Sequence, residues 1–246
     1  MTLREFRLAA TTNDLTREPK ARGAADVIEF RMDSAEDPVA QLSEYDGDLP
    51  VIATNRTKWS GGQADDTGRL DQLFAATRFD VVEMVDIEAE TARGKQWVLN
   101  EFRDNDVEII VSCHVFEKTP DRKTLGAIIE ECADFGDIAK VAALARTKDD
   151  SLKMLEAINT ATEEGMCVAG LSMGEVGRIT RIISSLYGSR LGYAPLESDT
   201  NDYAPGQIPL YELRSYIEML KSSGDGLHQI NNREENTPKS ISEQTN

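Results

Sequence analysis

The sequence predicts an α/β fold, a single-domain (β/α)8 TIM barrel. Three observations carry that prediction. Eight short apolar runs recur along the chain, helical patterns lie between them, and no shift in composition divides the series. A strand apolar on both faces, followed by an amphipathic helix, is the repeating unit of a parallel sheet buried on both sides. The length of 246 residues suits one barrel. An open doubly wound sheet is the competing architecture, but it usually has fewer strands, and no glycine-rich dinucleotide fingerprint follows the first run.

The runs, in order, are Phe6–Ala10, Val27–Arg31, Pro50–Thr54, Val81–Ile87, Val107–Cys113, Ile138–Leu144, Met166–Leu171 and Arg190–Ala194. Each is rich in aliphatic, often β-branched residues, the last least so, and their starts are 21, 23, 31, 26, 31, 28 and 24 residues apart. Helical spacing of three or four appears after the third run (Leu70, Leu73, Phe74, Thr77). It returns after the fifth (Leu125, Ile128, Ile129, Cys132) and after the sixth (Leu152, Leu155, Ile158). Residues 1–221 are therefore assigned to the barrel. Residues 222–246 hold only Leu227, Ile230 and Ile241 as aliphatic anchors and are expected to form a disordered polar tail. So few anchors do not offset an ordering entropy of about 1–2 kcal/mol per residue.

The 44 acidic and 27 basic side chains give a net charge of −17 and a sequence pI near 4.6. That balance argues against nucleic acid and against anionic membranes as partners, because both are bound chiefly through Lys and Arg. No apolar stretch approaches the roughly 20 residues of a membrane helix, and Met1–Arg7 lacks the apolar core of a signal peptide. Cys113, Cys132 and Cys167 cannot all pair and show no CxxC spacing, so a reducing cytoplasm is expected. A surface charged so strongly in one sense suits a very salty cell, and a halophilic source is the corresponding expectation.

Chemistry in such a barrel is placed at the C-terminal ends of the strands, so polar residues that interrupt or close the runs are the candidates. Lys140 interrupts the sixth run on the face of Ile138 and Ala142. Burying an ammonium there is costly and lowers its pKa towards a nucleophilic amine. The plain alternative is a lysine snorkelling from a strand end. His114 closes the fifth run, 26 residues before Lys140, about one βα unit. Neighbouring strands lie about 4.8 Å apart, so the two could share one substrate as amine and proton carrier. A structural histidine is the alternative.

Glu29, Arg31 and Asp33 alternate at the end of the second run and form either a salt-bridged rim or an array for neighbouring hydroxyls. Arg56 follows the third run ahead of Gly61-Gly62, and Arg181 lies in the helix after the seventh. Both are suited to carboxylate or hydroxyl oxygens, or else are solvated surface. Two histidines rule out a His-rich metal site, while Asp86 and Glu88 leave an all-oxygen Mg²⁺ site open. Gly170, Gly174 and Gly177 match neither a P-loop nor GxGxxG. Cys113 points away from His114 by strand alternation, which argues against a Cys–His pair.

These residues stand in segments that resemble the type I 3-dehydroquinate dehydratases, the Schiff-base enzymes of the shikimate pathway, from Phe6 to Leu220. The segments are Glu29–Asp33; Arg56 with Gly61-Gly62; Val85–Glu88; Ser112–Pro120; Ala139–Ala142; Ser172–Gly174 with Arg181; and Ala204–Gln207. The resemblance implies a lyase of aromatic amino-acid biosynthesis that needs no cofactor and no metal, acts on a small molecule, and forms a homodimer. It casts Lys140 as the imine-forming lysine and His114 as the general acid/base. Glu29, Arg31 and Arg56 become ring-hydroxyl contacts, and Arg181 and Gln207 carboxylate contacts, Gln207 on a loop that closes over the ligand. Two positions depart from the family pattern. Ser60 stands where a glutamate commonly orients the histidine, which leaves that task to Asp86, and Tyr203 replaces a small hydroxyl residue. A class I aldolase and a catalytically silent metabolite-binding barrel are the competing functions.

Overall fold

The computed structural model describes residues 5–196 and 206–234, with side chains to 222. Eight parallel strands alternate with helices. They are β1 (Arg7–Thr12), β2 (Val27–Arg31), β3 (Val51–Thr54), β4 (Val82–Glu88), β5 (Glu108–Val115), β6 (Ile138–Leu144), β7 (Val168–Met173) and β8 (Leu191–Pro195). A 3₁₀ turn, Leu15–Lys20, follows β1. The α-helices are α1 (Pro38–Glu44), α2 (Arg69–Ala76), α3 (Ala89–Gly94), α4 (Gln96–Asp104), α5 (Arg122–Phe135), α6 (Lys148–Glu163), α7 (Arg178–Ile183) and α8 (Leu210–Glu234).

The strand order β7-β6-β5-β4-β3-β2-β1-β8 describes a cylinder whose last gap lies between β7 and β8. Among the described residues, two hydrogen bonds cross that gap: Arg190 N to Val168 O (2.7 Å) and Gly170 N to Ser189 Oγ (3.3 Å). The expected (β/α)8 barrel is thus the observed one, and each of the eight apolar runs contains or overlaps a strand.

Strand alternation sorts the residues. Outward positions such as Leu8, Phe30, Val85, Ile109 and Val141 pack in one continuous core with the helices. Inward positions fill the cylinder in tiers of four drawn from alternate strands, as expected for this architecture. Val27, Met84, Ile138 and Leu191 form one apolar tier, and Ala9, Ile52, Ile110 and Ala169 another. Towards the C-terminal ends of the strands the tiers turn polar. Glu29, Asp86, Lys140 and Tyr193 come from the even strands, and Thr11, Thr54, Ser112 and Leu171 from the odd ones. The apolar tiers close the floor, so the polar ones open only upwards.

Capping sets where two helices begin beside that upper end. The Asp121 carboxylate accepts from Thr124 N ahead of α5, and Thr147 with Asp150 forms a capping box on α6. One helical expectation is corrected: Leu152 is 59% exposed. The buried stripe of α6 runs through Ser151, Met154, Leu155, Ile158 and Ala161 instead. Ser151, one residue away, points inward and donates from Oγ to Val176 O. α8 continues past residue 221 to Glu234; residues 235–246 of the expected tail lie outside the described residues. Among the described residues no helix is long and apolar enough to cross a membrane.

Candidate active site

A cavity opens at the C-terminal end of the barrel. All seven residues singled out for the site line it: Glu29, Arg31, Arg56, His114, Lys140, Arg181 and Gln207. Thr11, Ala142, Leu171, Met173 and Tyr193 complete the wall.

Lys140 is 4% exposed and does not snorkel. Its Nζ donates to Asp86 Oδ2 at 2.8 Å and to Glu29 Oε1 at 3.3 Å, and lies 3.8 Å from the centre of the Tyr193 ring. The sequence led us to expect an amine stripped of water; the structure supplies two carboxylates and an aromatic face in place of that water. Each carboxylate is itself anchored. Glu29 accepts from Thr11 Oγ1 (2.7 Å) and Thr54 Oγ1 (3.4 Å). Asp86 accepts from Ser112 Oγ (2.7 Å) and pairs with Arg56 Nη2 (2.8 Å). Arg56 and Lys140 overcome the burial of Asp86 and hold its carboxyl far below the usual range.

His114 stands on the neighbouring strand. Ser112 is the register partner of Lys140 and His114 that of Ala142, so the imidazole sits one inward position above the lysine. Its ring stacks on Phe116, with centroids 6.0 Å apart. Nδ1 is buried and has no hydrogen-bond partner among the described residues. Burial, then the charges of Arg56 and Lys140, push its pKa well below the ordinary imidazole value. The histidine is therefore neutral at pH 7 and able to accept a proton. The expectation that Asp86 orients it is corrected: both Asp86 oxygens are engaged with Lys140, Arg56 and Ser112.

Arg181 reaches the cavity from α7. It is buried, its Nε and Nη2 have no partner among the described residues, and desolvation lowers its pKa to about 10. A guanidinium that is still charged at neutral pH, buried and unpaired invites an anion. Arg31 is held differently, by a bidentate pair with Asp33 (2.9 and 2.8 Å), and Asp33 also accepts from Gln63 N at 3.0 Å. Asp33 therefore ties the loops after β2 and β3 together. Gly62 permits the tight path of the latter, since a Cβ there would fall 2.1 Å from Arg56 O. Ser60 is buried in the same loop, while Tyr203 lies outside the described residues.

The Mg²⁺ reading loses its ligands to cations and hydrogen-bond donors already in place. Asp86 is taken by Arg56 and Lys140, and Glu88 by Arg69 Nη2 (2.8 Å), Thr91 Oγ1 (3.2 Å) and Thr57 N (3.2 Å). A thiol nucleophile fares no better, because burial raises Cys113 and Cys167 to about 11.

Sequence reasoning passed over Thr11 and Tyr193. Thr11 lies one residue beyond the first run, in the part of β1 that its apolar pattern does not reach. Tyr193 shares the inward parity of Leu191 in the eighth run, and that parity was the available signal.

The chain matches the family model for type I 3-dehydroquinase over residues 8–223. It is 44% identical over 228 residues to a 3-dehydroquinate dehydratase of Haloarcula marismortui, covering 90% of this chain and 99% of that protein. A 3-dehydroquinate dehydratase of Halobacterium salinarum is 41% identical, with 90% and 100% covered. Among solved structures, the 3-dehydroquinate dehydratase of Geobacillus kaustophilus HTA426 superposes with a TM-score of 0.79 at 27% identity, over 89% of this chain and 92% of that one.

Proposed function

The chain belongs to the type I 3-dehydroquinase family, and on that premise we propose that it dehydrates 3-dehydroquinate to 3-dehydroshikimate through an imine on Lys140, with His114 moving the protons. The observation that carries this reading is the placement of a buried amine and a half-buried imidazole on adjacent strands of one cavity.

In this mechanism the Lys140 amine adds to the substrate ketone and water leaves, giving a protonated imine. The imine draws electrons from the neighbouring C–H, whose proton passes to the neutral His114. The electron pair left on carbon then expels the hydroxyl group, which departs as water with a proton from His114. Water finally hydrolyses the imine, releasing product and restoring the amine. The Asp86 and Glu29 carboxylates lie within 3.3 Å of Nζ, where the positive charge of the imine develops. Charges preplaced in this way stabilise that state without reorganisation. Arg181, with Gln207, receives the substrate carboxylate, while Glu29, Arg31 and Arg56 face the ring hydroxyls.

The test is chemical trapping. Incubation with 3-dehydroquinate, borohydride reduction and peptide mass spectrometry should place one adduct on Lys140 in protein that also forms product. Adducts only with sugar phosphates would favour an aldolase. Tight binding with neither adduct nor product would favour a silent binder.

A further inference from the structure

We infer that Tyr193 is a positioning residue for the imine-forming lysine, the face of its ring steadying the Lys140 ammonium at the base of the cavity. The inference rests on the reading of Lys140 as that amine.

Tyr193 is the fourth member of the tier that holds Glu29, Asp86 and Lys140. Seen from Lys140 on β6, the carboxylates come from β2 and β4, and β8, two strands away on the other side, offers an aromatic ring. A long, flexible lysine held only by carboxylates would be drawn to one side of the cylinder; the ring supplies attraction from the remaining direction. Its centre lies 3.8 Å from Nζ, inside the distance at which a cation and a ring face attract.

The ring is fixed in its turn. Tyr193 is 5% exposed and belongs to the apolar cluster that fills the barrel with Ala9, Val27, Ile52, Met84, Ile110 and Ile138. Its register partner on β1 is Ala9, whose small side chain leaves room for the ring to extend across the barrel. The hydroxyl Oη is buried without a hydrogen-bond partner among the described residues, so no polar contact there accounts for the orientation of the side chain. The aromatic face, rather than the hydroxyl, is the feature in use.

The experiment replaces Tyr193 with phenylalanine and then with mono-, di- and trifluorinated phenylalanines. These keep the shape of the ring while draining its negative face. Turnover of 3-dehydroquinate and borohydride trapping are read for each protein. Tyr193→Phe should stay within about threefold of the parent rate. Each added fluorine should lower kcat and the trapping rate further, with KM nearly constant, and Tyr193→Leu should lose about 2- to 30-fold. A fluorination series without slope would overturn the inference. So would a phenylalanine variant as impaired as the leucine one, since the hydroxyl would then carry the effect. If the parent protein traps no adduct on Lys140, the underlying reading fails as well; an adduct on Lys140 with a flat series removes Tyr193 alone.

Discussion

Burial beside Arg56 and Lys140 costs His114 its proton, and two outcomes follow at the scale of this one residue. Because its pKa lies well below 6.5, the imidazole remains a base in mildly acidic solution. The acidic limb of kcat/KM should therefore fall below about pH 6.5; a pH–rate profile with the limb at or above that value would contradict the assignment. The sign for stability is the same. The unfolded histidine binds a proton near pH 6.5 and the folded one resists it, so this site destabilises the fold progressively as pH falls below that value. His114→Ala should still trap an adduct on Lys140 while elimination falls by at least about 10²-fold, measured as trapping yield against product formation. Near-normal turnover would take His114 out of the mechanism. The residues differ in how openly the sequence shows them. Lys140 is legible because a charge interrupts an apolar run. An aromatic residue in such a run reads as core, which hides Tyr193, and the unpaired state of Arg181 depends on neighbours that only the folded chain supplies.

Among the elements, the strands were the most legible, because a buried parallel strand must be apolar on both faces. Their ends were less so. The first run stops at Ala10 and β1 at Thr12, since the inward face turns polar where the cavity begins. Leu152 shows the converse failure: helical spacing can name a stripe one position out of phase when Ser151 occupies the buried edge. The loop leading into α8 permits a test at this scale. Gly206 has φ +78°, and a Cβ there would lie 2.3 Å from Gly174 O, in the loop after β7. Gly206→Ala should push the two loops apart and displace Gln207, raising KM for 3-dehydroquinate by about tenfold, the equivalent of 1.4 kcal/mol, with little change in the trapped adduct at saturation. Steady-state kinetics decide it, and an unchanged KM would show that the loops move independently.

For the whole molecule, the net charge of −17 dominates. Like charges on one surface repel, and salt screens them with a Debye length of about 10 Å at 0.1 M and 3 Å at 1 M. The thermal midpoint should rise between about 0.1 M and 2 M KCl, by roughly 2–4 °C for each kcal/mol of repulsion removed. Circular dichroism melts measure this, and a midpoint indifferent to KCl would remove the halophilic expectation. The barrel closes regardless of that surface, because its tiers are apolar below and internally paired above.

One consequence lies in where the cavity groups are mounted. Lys140 and His114 belong to β6 and β5, locked in register by the backbone ladder, whereas Arg181 rides on the short α7 and Gln207 on the turn before α8. Reactivity is thus built into the rigid lattice, and the choice of which acid is admitted is left to attachments outside it. Selection can retailor the guest through those attachments without disturbing the reagents.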